Sequence, residues 1–151
     1  MDKFTEKLVK AGVVGIDTPV FIYHLEAHPR YATITQAALS SMEKGAWQGI
    51  TSTITLMEIT VRPWQLEREE IARRYETLLA NFPNLTILDI DRNVAHLAAQ
   101  LRARFNLPPP DALQVATSLV FGAKVFITND TRLTRVRHLI EIVLLEDFVA
   151  L

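Results

Sequence analysis

The chain contains no cysteine. That excludes disulfide frameworks, thiolate nucleophiles and Cys-ligated zinc or iron–sulfur centres, and it fits a reducing compartment. No apolar run reaches the roughly 20 residues needed to span a bilayer. The opening residues, MDKFTEKLVK, interleave charge with apolar side chains and lack the apolar core of a signal peptide. The expectation is a soluble, cytoplasmic protein with no membrane partner. Neither charge sign dominates, since 16 Lys and Arg stand against 17 Asp and Glu, for a net charge of −1. Bulk electrostatics therefore give no argument for a nucleic-acid partner, which would need a local basic patch or bound metal ions. With only five glycines and seven prolines, the chain is neither collagen-like nor low-complexity.

What is present is a core. Hydrophobic residues make up 49% of 151 positions, enough for one ordinary domain over residues 1–151 that buries roughly 70% of its extended surface. No internal repeat or linker interrupts it. Short apolar runs at Val13–Ile16, Trp47–Ser52, Leu85–Ile90, Lys124–Thr128 and Ile142–Leu145 read as strands. Between them lie helical stretches at Pro19–Glu26, Tyr31–Lys44, Thr55–Val61, Glu67–Ala80, Asp91–Phe105 and Asp111–Phe121. Arg62-Pro63 is expected to break one helix, and Pro108-Pro109-Pro110 to form a stiff connector. Asp2–Lys10 reads as an extra N-terminal helix. Continuous apolar strands alternating with helices indicate a parallel sheet covered on both faces. The expected fold is α/β, a three-layer α/β/α sandwich on a five-stranded parallel sheet. Chemistry in such folds sits outside the carboxyl ends of the strands, where strand order reverses.

The informative pattern is where acids stand without other charges. Asp17 is the only charged side chain between Lys10 and Glu26, and Glu58 the only one between Lys44 and Arg62. Asp111 is alone between Arg104 and Lys124, and Asp130 between Lys124 and Arg132. Asp17 and Asp130 fall at strand ends, Glu58 in a helix and Asp111 in the first turn of one. An ionised carboxylate in apolar surroundings is costly without compensation, and no lysine or arginine reads as local to any of the four. Either each finds its own partner through the fold, or they converge and share a cation. Oxygen-only donors favour Mg²⁺ or Mn²⁺ over zinc, and such ions can activate water toward a phosphodiester. Each acid also has a plainer reading. Asp17 or Thr18 could cap a helix that starts at Pro19, Asp111 is favoured in a first turn by the helix dipole, and Asp130 could close an Asx turn. Glu58, mid-helix, has only an exposed helix face as its plain reading.

These residues carry a resemblance. The stretch Ile16-Asp17-Thr18-Pro19-Val20-Phe21-Ile22-Tyr23 resembles the opening motif of PIN-domain ribonucleases, a strand ending in Asp followed by Ser or Thr. Thr55-Leu56-Met57-Glu58-Ile59 resembles the family's helical Glu motif, and the run from Pro109 to Thr117 its third-acid motif. Phe126-Ile127-Thr128-Asn129-Asp130 resembles its strand-end motif with the fourth acid. The order and spacing are most similar to toxins of VapBC-type toxin–antitoxin systems. The resemblance implies metal-dependent hydrolysis of RNA phosphodiesters by an endoribonuclease, leaving a 3′-hydroxyl and a 5′-phosphate. It implies Asp17, Glu58, Asp111 and Asp130 as ligands of Mg²⁺ or Mn²⁺, and Thr128 lining the site through its hydroxyl. Thr18 is a weaker candidate, and Asn129 a support for bound water. It further implies a cognate antitoxin that wraps apolar helices on segments containing Ile22, Tyr23, Trp64 and Tyr75, and a homodimer. Many relatives carry a further acid after the fourth. Here that stretch is Thr131-Arg132-Leu133-Thr134-Arg135, so the expectation is a single well-bound ion, or a second recruited with substrate.

Other features weigh less. Arg132, Arg135, Arg137 and His138 could contact phosphate, but a solvated helix face is the preferred reading. Trp47 and Trp64 are read as core or interface packing. Asp89-Ile90-Asp91 resembles the nucleophile motif of haloacid-dehalogenase-type phosphatases, although Asp91 reads better as a helix N-cap. Two rivals follow: such a phosphatase, or a PIN-like binding module without turnover.

Overall fold

The computed structural model describes residues 2–149. Five strands form one all-parallel sheet: β1 (Val13–Ile16), β2 (Gln48–Ser52), β3 (Leu85–Leu88), β4 (Val125–Thr128) and β5 (Glu141–Leu144). Their order is β3-β2-β1-β4-β5. The chain steps outward from β1 through β2 to β3, then crosses back to place β4 on the other side of β1. Strand order therefore reverses between β1 and β4, paired in register from Val14 with Val125 to Ile16 with Ile127.

Seven helices cover the sheet: α1 (Lys3–Ala11), α2 (Thr18–Leu25), α3 (Ala32–Glu43), α4 (Thr53–Gln65), α5 (Glu69–Ala80), α6 (Arg92–Phe105) and α7 (Pro109–Phe121). The alternation of strand side chains divides the core in two. Val14, Ile16, Val125, Ile127 and Val143 join Phe4, Leu8, Phe21, Leu39 and Met42 on one face. Phe126 joins Val94, Leu101, Val115 and Ala116 on the other. The central strands β1 and β4 and the edge strand β5 thus feed both cores, with Val13 and Ile142 packed on the second, which is why these strands read as continuous apolar runs. Gly15 sets how closely α7 can approach: a Cβ there would stand 2.1 Å from Ser118 Oγ, so no larger residue fits without displacing the helix.

The expected α/β sandwich is what forms, and β1 has the expected bounds. Helix ends shift by a few residues, most informatively at the two proline sites. Arg62-Pro63 does not end α4, because the turn around it is closed by Leu66 N–H donating to Arg62 O (3.0 Å) and Arg68 N–H to Pro63 O (2.8 Å). Proline forfeits one bond to the preceding turn, and the helix persists by making those that follow. The three prolines after Leu107 are not wholly a connector either. Pro109 and Pro110 begin α7, where a missing N–H costs nothing because first-turn donors lack helical partners anyway. Asp91 caps α6 as expected, accepting from Val94 N–H at 2.9 Å. Trp47 lies in the core at 1% exposure, whereas Trp64 is exposed. Among the described residues, no helix is long and apolar enough to cross a membrane.

Candidate active site

All four isolated acids line one hollow of about 300 Å³, together with Thr18, Pro19, Ile22 and Val61. The topology explains the convergence. Asp17 follows β1 and Asp130 lies two residues beyond β4, the two strands that flank the reversal. Glu58 stands in the helix after β2, and Asp111 in the first turn of the helix that leads into β4. Asp89 stands exposed beyond β3, an edge strand, and is not part of the hollow.

Asp17 is the most constrained. It is only 6% exposed. One carboxylate oxygen accepts from Thr18 N–H at 2.9 Å and the other from Thr128 Oγ1–H at 2.7 Å. The capping role foreseen for Asp17 is therefore real, and it occupies only part of the side chain. Burial is the main influence on its pKa, pushing it up to about 7; the Thr128 and Thr18 hydrogen bonds oppose this, and the charges of Asp111 and Glu58 add to it. Thr128 itself is fully buried, behind the hollow and not on its lining. Its oxygen also accepts from Asp130 N–H at 3.1 Å, so one hydroxyl couples two acids.

Glu58 accepts from Thr18 Oγ1–H at 2.7 Å. Thr18 belongs to a buried polar group with Thr51, Ser52, Thr55 and Gln114. Nothing in the sequence marks Gln114 as part of the site, because a neutral amide in an apolar helix has no charge pattern to betray it.

Asp130 closes the expected Asx turn, accepting from Arg132 N–H at 2.9 Å. It also binds the Arg132 guanidinium, whose nearer nitrogen lies 2.6 Å from one carboxylate oxygen. That nitrogen is 3.6 Å from Asp111 Oδ2. The expectation that no base is local to the acids is thus corrected: a short 3₁₀ turn, Thr131–Val136, folds Arg132 back over the hollow's edge. Hydrogen bonding to Arg132 holds Asp130 below the ordinary carboxylate range. Asp111 is shifted upward, first by burial and then by the Asp130 charge, against the pull of Arg132. Arg135 and Arg137 are otherwise occupied. Arg135 donates to Phe105 and Asn106 carbonyls, and Arg137 to that of Thr134. Asn129 turns away from the acids: its side-chain oxygen accepts from Glu146 N–H at 3.1 Å, and its nitrogen lies 3.5 Å from the Tyr23 hydroxyl. Its expected role toward bound water is replaced by a structural tie.

The donor set suits a hard divalent cation, being all oxygen and carrying more negative charge than one arginine balances. Among the described residues, no three acidic or histidine side chains converge tightly enough to grip a single ion as they stand. A cation held by Asp111 and Asp130 would compete with Arg132. Replacing Arg132 with Ala should therefore tighten Mn²⁺ binding about two- to fivefold, the modest scale expected of an exposed ion pair. Isothermal titration checks this; weaker binding in the variant would make Arg132 a support and not a competitor.

The family model of the PIN domain matches residues 14–139. Among solved structures, a toxin–antitoxin complex from Klebsiella pneumoniae is similar with a TM-score of 0.63 at 23% identity, over 88% of this chain and 97% of that one. VapBC2 from Rickettsia felis, bound to a DNA fragment from its promoter, gives 0.69 at 18% identity, over 87% and 97%. DNA-bound VapBC from Salmonella typhimurium gives 0.62 at 22% identity, over 88% and 97%. No curated protein matches the chain. At these identities the structural likeness is one of fold.

Proposed function

Because the chain belongs to the PIN-domain family, we propose that it is a divalent-metal-dependent endoribonuclease, the toxin of a toxin–antitoxin pair. The observation that carries this reading is the meeting of Asp17, Glu58, Asp111 and Asp130 on the lining of one hollow where strand order reverses. These four side chains would hold Mg²⁺ or Mn²⁺. When bound, the ion supplies Lewis acidity toward a phosphoryl oxygen and acidifies water.

The chain's own residues supply the arrangement. Thr128 and the Thr18 N–H fix the Asp17 carboxylate from behind, and Thr18 Oγ1 aims Glu58. An acid facing the hollow accepts a proton from the attacking water. The water oxygen joins phosphorus, the P–O3′ bond breaks, and the departing O3′ takes up a proton from solvent, so the products carry a 3′-hydroxyl and a 5′-phosphate. Arg132, at the rim with a planar fork of donors, is placed to meet a phosphate of the RNA once a metal displaces it.

An antitoxin partner is supported by an apolar stripe on α4. Met57, Val61 and Trp64 are 55%, 47% and 48% exposed, lie at helical spacing, and lead from the hollow, which Val61 itself lines. An amphipathic segment laid along it would shut the hollow. The solved structures above are toxin–antitoxin assemblies, which favours the same partner. A homodimer and a cytoplasmic setting complete the proposal.

The test is incubation of purified protein with structured and unstructured RNA in Mg²⁺ or Mn²⁺. The expected result is cleavage that EDTA stops, with 5′-phosphate ends. No cleavage of any RNA with either ion favours a binding module without turnover.

A further inference from the structure

Gln114 is 2% exposed and stands one helical turn beyond Asp111. Its amide nitrogen donates to Thr18 Oγ1 at 3.1 Å and to Thr55 Oγ1 at 2.7 Å. Its amide oxygen accepts from Ser52 Oγ–H at 2.7 Å, and Ser52 Oγ in turn accepts from Ile54 N–H. One side chain on α7 therefore ties down the residue after Asp17, the residue one turn before Glu58, and the end of β2.

The proton inventory gives these bonds a direction. Each threonine has one hydroxyl hydrogen, and the glutamine amide has two donors and one acceptor oxygen. Thr51 Oγ1–H is spent on Ile16 O at 3.1 Å. The 2.7 Å contact between Thr51 and Thr55 then takes its hydrogen from Thr55. Thr18 and Thr55 lie 3.0 Å apart, yet neither has to donate to the other, because Gln114 donates to both. Thr18 is left with its hydrogen free for Glu58. Turning the amide over would point its carbonyl at two hydroxyls whose hydrogens are already committed.

We infer that Gln114 is a positioning residue for the proposed metal centre: by donating to Thr18 and Thr55, it directs the Thr18 hydroxyl hydrogen to Glu58 and so fixes that carboxylate facing the hollow. The inference rests on the reading of Glu58 as a metal ligand. Gln114 is the amide type the position requires, since Glu would offer acceptors where donors are needed, and Leu or Met would offer neither.

The experiment measures Mn²⁺ affinity by calorimetry, kcat and KM on RNA, and thermal unfolding, for wild type, Gln114→Glu, Gln114→Leu, Thr18→Val and the double variant Thr18→Val/Gln114→Leu. Gln114→Glu keeps the volume, and Thr18→Val breaks the chain of bonds at the next link, so either serves if Gln114→Leu does not fold. The expected result is Mn²⁺ binding weakened about tenfold or more, as for partners that orient metal ligands, with kcat reduced and KM for RNA little changed. In the Thr18→Val background, Gln114→Leu should add almost nothing. Variants that lower the unfolding temperature but leave Mn²⁺ affinity and kcat within about twofold would overturn the inference and leave the metal reading standing, as would losses that simply add. Wild-type protein that binds no Mn²⁺ would remove the metal reading itself, and the inference with it.

Discussion

Replacing Asp17 with Asn should abolish RNA cleavage and, in metal-free protein above neutral pH, raise the unfolding temperature. Loss of function with gain of stability is not what a damaged core produces. The activity loss follows from withdrawing a ligand from the ion. Several kcal/mol of charge stabilisation go with it, or about a thousandfold in rate. The stability gain follows from the environment of Asp17. The carboxylate is almost wholly buried, faces two other acids, and has a pKa raised to about 7. Without a counter-cation its ionised form is a liability that the amide lacks. Asparagine can keep the backbone bond from Thr18 and present its NH₂ to Thr128 Oγ1, which as a hydroxyl can accept as well as donate. Cleavage assays and differential scanning calorimetry in EDTA check the two halves. A variant that loses activity together with stability would place Asp17 in a purely structural role.

The second large effect is the pH dependence of metal-free stability. The Asp17 carboxyl keeps its proton in the fold up to about pH 7, whereas in the unfolded chain it loses it near the ordinary value of 3.8. Below both values the group costs nothing. As pH rises between them, the unfolded state ionises freely while the folded state cannot, so stability falls. Above about pH 7 the deficit is constant. At about 1.4 kcal/mol per pH unit, this carries up to about 4 kcal/mol. Asp111, also shifted upward, acts in the same direction. Asp130 and Glu146, shifted down by their arginines, contribute stability that is lost only as the solution becomes more acidic. They do not mask the window above pH 5. Metal-free protein should therefore unfold some 5–10 °C lower at pH 8 than at pH 5, at about 2–4 °C per kcal/mol. Mn²⁺ should recover most of that difference at pH 8 and little at pH 5, because a cation binds the ionised acids. A flat profile in EDTA, or equal stabilisation by Mn²⁺ at both pH values, would mean that the acids do not share an uncompensated charge.

How much of this was readable from the chain depends on the kind of signal. The sheet was readable because strands buried on both faces must be apolar throughout, as at Val13–Ile16 and Val125–Thr128. The four acids stood out because a carboxylate alone in an apolar stretch is expensive. Features set by tertiary context were not readable. Pro63 predicts a helix end locally, yet the bonds made beyond it carry the helix another turn. Arg132 and Asp130 stand two apart, a spacing that sets side chains on different faces of a helix, and the 3₁₀ turn that follows Asp130 makes them a pair. Thr128 was expected on the lining and instead supports Asp17 from behind. Gln114 is hidden more deeply. Its partners come from α2, α4 and the end of β2, and no local pattern announces that three distant segments leave one amide-shaped gap.

The most direct measurement is anomalous diffraction from crystals of the protein equilibrated with Mn²⁺. The expected peak lies in the hollow bounded by Asp17, Glu58, Asp111 and Asp130, with the Arg132 guanidinium moved off Asp130. Mn²⁺ found only elsewhere on the molecule, with Arg132 still seated on Asp130 at saturating metal, would show that these acids are not a metal centre.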